Sequence, residues 1–594
     1  MDRRFILALV LTAAVVMGTP LLFPDASRPP VGAVASDSLI TDSLGVGTPG
    51  AGPAVAGVGP SAITDTANST DVAARAASVA AGVPDSGMLA AQPAPVIPVE
   101  TTTVTTPLAA YRFSNSGAAL IGTTLERYTS LREGEATQKV ELGRGGEPLV
   151  HYRLVVPGDT ISLDQVRFQL EQEAGSADEI GSLTYSGAVD GMQVRIAYTF
   201  RPDSYRVAVR GSVANAPARS YLLMDMPSGL SSSEADEKDD VNHMGYVYKP
   251  VTDNATSILF RKLDPGERSL QTRPMSWVAV KNKYFLVALL SPDSVPFAEL
   301  QVTGGPRTEK AATVAYGTVV TPLGADGGFG FSIYPGPQEW RRLLAIGRDF
   351  QNVNPYGGFM QAAIQPFAQI VMRMLLWMKD TTALNYGWVL VIFGVAVRVI
   401  MWPLNQKAMR SQLKTQRIQP ELQAAQKKHA GDPAKQQAET LRIYKEHGMS
   451  PFSALTGCLP MMLPMPILFA LFFVFQNTIE FRGVGFLWLH NIATYDPYYI
   501  MPVLTGITSF VMSWIGIRGA PPNPQAKLFA YVMPLTFAVL FARLAAGLHI
   551  YYTVQNIAAL PQQWMLSRER SKALPATPPV VEGPPPARRR RQRA

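Results

Sequence analysis

A single cysteine, Cys458, in 594 residues leaves no intramolecular disulfide framework and no thiolate metal cluster. The six histidines, at 151, 243, 429, 447, 490 and 549, never form a short-spaced ligand pair, which argues against a metal enzyme. No G-x-x-x-x-G-K-[ST] phosphate loop occurs, so nothing points to ATP or GTP use. A literal G-x-G-x-x-G runs from Gly45 to Gly50. It carries Pro49, follows no strand and opens no helix, so dinucleotide binding is rejected. No Ser/His/Asp set and no acid pair stands out in the apolar half. Neither a cofactor nor covalent chemistry is therefore expected.

What is present is an uneven distribution of apolar residues and positive charge. Nearly all the long apolar runs follow Phe359, and the +8 net charge collects in the segments that flank them, the pattern of cytoplasmic membrane loops. Asp2-Arg3-Arg4 before the run Phe5 to Phe23 reads as an anchor helix over 1–23, amino terminus inside. It is expected to remain uncleaved, because the nearest A-x-A site, Ala33-Val34-Ala35, lies well beyond the run. Residues 24–106, rich in Ala, Gly, Pro, Ser, Thr and Val, bury too little surface to offset ordering and read as a linker. From 107 to 345 the chain reads as a large antiparallel β-sandwich on the outer side of the membrane. Hairpins are expected about Arg201-Pro202-Asp203-Ser204 and Lys281-Asn282-Lys283, and the acidic run Glu234 to Asp240 is expected to be a solvated loop.

Gln361, Gln365, Gln369 and Arg373 share one helical face of 359–379, which predicts an amphipathic helix in the outer interface. Five apolar spans then fill 384–566, interrupted by 404–450, where nine Lys/Arg stand against four acids. That basic stretch, with a sparse stripe of Met409, Leu413, Ile418 and Leu422 broken at Gly431-Asp432-Pro433, predicts a cytoplasmic two-helix hairpin. With the anchor there are six crossings, and the basic tail 567–594 lies inside with the amino terminus. The fold class is thus a polytopic α-helical membrane protein carrying a large outer β-sandwich.

Arg398 stands inside the otherwise uncharged segment Gly387 to Pro403. A lone arginine in hydrocarbon costs from ~3 to more than ~10 kcal/mol and ordinarily faces a bundle interior or a wet cavity. Snorkelling to the nearer interface is the competing placement, since Pro403 is only five residues away. The span 528–541 is roughly 21 Å long at ~1.5 Å per residue, against a core of ~30 Å, and so requires a thinned bilayer or support from neighbours. Pro460, Pro464 and Pro466 should kink the span that holds them, while Met449, Met461, Met462 and Met465 read as an adaptable apolar surface or as plain packing.

Four stretches recur in order through the apolar half: Val397-Arg398-Val399-Ile400-Met401-Trp402-Pro403-Leu404, Gly457-Cys458-Leu459-Pro460 with Met465-Pro466, Asp496-Pro497-Tyr498-Tyr499-Ile500 with Pro502-Val503-Leu504, and Gly547-Leu548 with Tyr551-Tyr552. On these the chain resembles the YidC family of bacterial membrane protein insertases, whose relatives include the mitochondrial oxidase-assembly and chloroplast Albino insertases. Tyr111-Arg112-Phe113 and Ile333-Tyr334-Pro335-Gly336-Pro337 resemble the periplasmic domain of its Gram-negative members. It implies a five-helix core around a hydrophilic groove, with Arg398 as the groove arginine, Tyr552 facing the groove, and Gly394 where relatives often carry a polar residue. It further implies a greasy slide along the third and fifth spans, for which Met461, Met465, Phe469, Phe473 and Phe537 are candidates. Pro464, where relatives commonly have glutamine, and Phe541-Ala542-Arg543, in place of a Phe-Pro-Ser-Gly turn, depart from the pattern. Expected partners are nascent membrane proteins, the Sec translocon, membrane lipids and, through the hairpin and basic tail, the ribosome. A secondary transporter binding an anionic solute at Arg398 is the rival class; no internal repeat between the spans supports it.

Overall fold

The computed structural model describes residues 97–175, 179–308, 311–312, 314–354, 356, 361–429, 431–448, 465–518 and 524–573. The expected anchor 1–23, almost all of the linker, the tail beyond 573, and Met461 lie outside the described residues.

Two antiparallel sheets build the β-domain. The nine-stranded sheet runs, edge to edge, Thr256–Leu259, Gly245–Pro250, Met275–Lys281, Phe285–Leu290, Gly328–Pro337, Val207–Ala214, Met192–Phe200, Gly181–Val189 and Gln169–Ala174. The six-stranded sheet runs Arg268–Gln271, Glu299–Gly304, Ala315–Pro322, Tyr221–Met226, His151–Val156 and Asp159–Ser162. Alternation in Met192–Phe200 puts Met192, Val194, Ile196, Tyr198 and Phe200 inside and Gln193 and Arg195 outside, as a half-buried strand demands. The two sheets meet where the Tyr152 and Tyr198 hydroxyls lie 2.8 Å apart, and where the Tyr246 ring occupies the space that a Cβ at Gly317 would need.

Central strands Met275–Lys281 and Phe285–Leu290 are buried on both faces. Part of the cover on the far face is a four-stranded sheet, Thr101–Thr105, Ala109–Ser114, Leu120–Thr129 and Lys139–Glu141, whose Tyr128 meets Phe285 edge-on at 5.5 Å. Both expected hairpins form: Val194 pairs with Val213 across the turn at 201–206, and Lys281 pairs with Leu286.

The acidic run departs from expectation. Glu234 and Asp240 are 6% and 0% exposed, and the segment closes into the short helix α1 (Glu237–Asn242) capped by Asp236. Asp240 accepts from Lys283 N at 2.9 Å and Asn282 Nδ2 at 3.1 Å, so it organises the 281–285 turn rather than facing water.

Helices follow the sheets: α2 (Trp340–Ile346), α3 (Gln361–Thr382), α4 (Tyr386–Lys428), α5 (Pro433–Glu446), α6 (Met465–Asn477), α7 (Ile500–Ile517), α8 (Pro524–Leu540) and α9 (Ala546–Ala573). In α3 the glutamine face is turned onto protein: Gln365 and Gln369 both donate to Asn352 Oδ1 at 3.0 Å, Gln365 also accepts from Tyr356 N, and Arg373 lies over the Trp340 ring. Its apolar residues Phe367, Ile370 and Trp377 are exposed, as is Arg373 beyond its contact with Trp340. The hairpin forms, with Ile443 and Tyr444 of α5 packed on Ile418, Leu422 and Ala425, but its first arm is not separate: α4 runs unbroken from the apolar segment into it.

Six spans were expected, and among the described residues two helical stretches, Tyr386–Gln406 and Ile500–Ile517, are long and apolar enough to cross a membrane. Ile467–Asn477 and Ala530–Leu540 are shorter apolar helices. The α9 helix falls out for a different reason: His549, Thr553, Gln555, Asn556, Gln562 and Gln563 interrupt its apolar surface.

The β-domain and the helices are joined by the loop after α6. Arg482 Nε lies 2.7 Å from Glu234 Oε1, with side-chain exposures of 5% and 7%, and Arg482 also donates to Thr129 O and lies over the Phe285 ring. Next to it Glu480 is half-buried against the amino end of α2, accepting from Trp340 N at 2.9 Å while its second oxygen is covered and has no partner among the described residues. Burial pushes its carboxyl up to about 7.

Candidate functional site

Helix α9 carries polar side chains at intervals of three, four and seven residues, so they form stripes that face its two neighbours, α4 and α7. Toward α7, Asn556 donates to Thr508 Oγ1 at 3.1 Å and Ser509 Oγ at 2.8 Å, and Thr553 and Thr505 hydroxyls meet at 2.9 Å. His549 closes this stripe, with Nδ1 at 3.2 Å from Thr505 Oγ1 and Nε2 at 3.0 Å from Phe541 O. Each polar group in this stripe has a protein partner, which an apolar surrounding requires.

The stripe toward α4 is different. Gln555 donates to Gly394 O and to Tyr551 Oη, both at 3.1 Å. Two turns on, Gln562 accepts from Arg398 Nη2 at 2.8 Å and donates to Trp402 O at 3.1 Å. One amide thus ties the guanidinium to the backbone of its own helix. Arg398 is half-buried, its Nε has no hydrogen-bond partner, and no carboxylate pairs with it, all among the described residues. Arg398 thus lies between α4 and α9, held by Gln562. What the arrangement offers chemically is an under-compensated cation able to attract an anionic or strongly polar group.

The other expected residues are placed as follows. Gly394 is buried where α4 packs on α9, and a Cβ there would lie 3.1 Å from Val554 Cγ1. Tyr552 is partly buried, with its ring edge-on to Tyr551 at 6.1 Å. Of the slide candidates, Phe469 and Phe473 stand one turn apart on α6, where Phe473 stacks on Tyr356 at 6.0 Å, and Met465 opens the same helix. Phe537 stacks on Phe541 at 5.5 Å, on the helix that packs on α7. Sequence reading missed Gln562 and Gln555 and took Tyr551 only as part of a motif, although the polar interval within the last apolar span was there to be read.

A family description for the periplasmic domain of YidC matches residues 101–370, and one for a 60Kd inner membrane protein matches residues 377–573. A Chlorobium phaeovibrioides protein named membrane protein insertase YidC is 30% identical over 420 residues, covering 68% of this chain and 70% of that one. The chain belongs to the YidC family of membrane protein insertases. The Chlorobium limicola insertase YidC is 29% identical over 443 residues, 70% of this chain and 74% of its own. A crystal structure of an active YidC insertase with its first transmembrane domain resolved is 18% identical, covering 79% of this chain and 93% of that one with a TM-score of 0.31. YidC family members are bacterial inner-membrane proteins, and the β-domain described above corresponds to their periplasmic domain.

Proposed function

We propose that this chain integrates and helps fold nascent inner-membrane proteins by drawing a short polar, often acidic, segment of the client to Arg398. The client's apolar segment then moves along α6 and α8 into lipid. Transfer of that segment from water supplies the drive, ~0.8 kcal/mol per buried CH2, so no nucleotide is needed. In this reading the helical region makes six crossings with the anchor, both termini are cytoplasmic, and α4 with α5 forms a basic cytoplasmic hairpin. The hairpin and the basic tail Arg588 to Arg593 meet ribosomal phosphates or anionic lipid, and the Sec translocon is a working partner for some clients.

The observation that carries the reading is Arg398 itself: half-buried between two helices, held by one neutral amide and paired with no acid among the described residues. A neutral holder keeps the charge available to a client. The test is insertion into proteoliposomes of two clients that differ only in an acidic or a neutral translocated tail, by the wild type and by Arg398→Ala. The acidic-tailed client should lose more; equal loss, or none, overturns the electrostatic step.

A further inference from the structure

A second basic site lies at the carboxy-terminal end of α6. A cleft of about 190 Å³ opens between the β-domain and the carboxy-terminal turn of α6, lined by Arg261, Lys281 and Asn354 on one side and Phe473, Gln476 and Asn477 on the other. Lys281 is 4% exposed and donates to Asn282 O at 3.2 Å, with no carboxylate within ion-pair distance among the described residues. Burial pulls its ammonium down to about 8. Arg261 likewise makes no ion pair among the described residues.

Asp239, the acid in the lining, is already neutralised by Lys283 Nζ at 2.7 Å, and His243 is held uncharged at neutral pH because burial lowers it to about 4. The cleft therefore presents two cations that make no ion pair among the described residues, with Asp240 acting on Lys281 only from beyond ion-pair distance. Asn354 adds a buried Oδ1 that lacks a donor among the described residues, while its Nδ2 is spent on Gln338 at 2.8 Å. An occupant must then bring an anion together with an N–H or O–H donor. At ~30 Å³ per water in the liquid, the volume equals about six waters, room for one acidic side chain and a stretch of its backbone.

We propose that this cleft receives an acidic side chain of the client segment that has crossed the membrane, its carboxylate taken by Lys281 and Arg261 and its backbone by the amides of Asn354, Gln476 and Asn477. This rests on the reading of α6 as the client's path: Phe469 and Phe473 share a face of that helix, and Phe473 is in the cleft wall. A segment moving along that face ends at the two cations.

The test uses the full chain in proteoliposomes of zwitterionic lipid, with a photo-reactive residue at Ser257, also in the lining, and a second at Trp402 beside Arg398. Clients stalled in mid-insertion carry an aspartate-rich or an asparagine-rich tail. The Ser257 probe should label the acidic tail at least fivefold more than the neutral one, and Lys281→Met with Arg261→Gln should bring the two to parity. Arg261→Lys should preserve the preference, and Arg261→Gln alone, at a less buried position, should lower it if the double variant does not fold. Equal labelling of both tails, or a preference that survives loss of both cations, overturns the proposal. So does transfer of the label to added anionic lipid in place of the client, which would make the cleft a headgroup site. Labelling at Trp402 without labelling at Ser257 rejects this inference and leaves the Arg398 reading intact; no client labelling at either probe rejects both.

Discussion

Replacing Gln562 by glutamate should silence Arg398 without removing it. The Arg398 Nη2 to Gln562 Oε1 contact is 2.8 Å, and a carboxylate there has nearly the shape of the amide it replaces. At that separation an effective dielectric of about 20 gives about 6 kcal/mol of attraction before desolvation. Burying the new ion, and setting its second oxygen against the Trp402 carbonyl to which the amide now donates, costs several kcal/mol, leaving a net pairing of about 1–2 kcal/mol. A client carboxylate must displace that internal partner, so insertion of an acidic-tailed client should fall about tenfold, since 1.4 kcal/mol is tenfold. A neutral-tailed client should be little changed. Gln562→Leu is the matching control, because it removes the amide yet leaves the positive charge free, and should keep acidic insertion within about threefold. Proteoliposome insertion of both clients by all three proteins measures this. If the glutamate and leucine variants behave alike, or if acidic and neutral clients fall together, charge at Arg398 is not what draws the client.

Removing one partner of the buried Arg482–Glu234 pair, by Arg482→Ala or Glu234→Gln, should cost about 3–5 kcal/mol and expose the joint between β-domain and helices to limited proteolysis. Glu480 titrates with a folded value raised from 4.5 to about 7, so it contributes stability below about pH 4.5 that is lost as pH rises through about 7. Glu480→Gln, which keeps an acceptor for Trp340 N, should raise the melting temperature above pH 7 and converge with wild type near pH 4.5; Asp240, raised to about 6, leaves a residual slope of the same sign. Gly387→Ala should destabilise more than Gly394→Ala, because the new Cβ would sit 2.0 Å from Phe486 in the first case and 3.1 Å from Val554 in the second. Overpacking costs of about 1–3 kcal/mol and under ~1 kcal/mol respectively are expected in chemical denaturation.

The arginine, the hairpins and the layout of sheets then helices were legible because each is a local pattern: one charge in an apolar run, or alternation on either side of a turn. The partners were not. Gln562 is 164 residues from Arg398, and Glu234 is 248 from Arg482, distances at which period and propensity say nothing. The acidic run misled because like charges in sequence usually repel one another into water, whereas here two of them cap a turn and a buried guanidinium. In helix α9 the polar residues that lower its hydropathy are the partners of Arg398 and of α7, a role set by residues distant in sequence.

Helix α4 holds 43 residues, about 65 Å of rod at ~1.5 Å per residue, with Arg398 near one end and the basic arm at the other. Pro403 and Pro420 lie between the arginine and the far end, and each removes an i→i−4 bond, so the rod has two points at which it can bend. A particle that pulls on the arm is thereby partly uncoupled from the guanidinium, whose hold on Gln562 is set by the packing of α4 on α9.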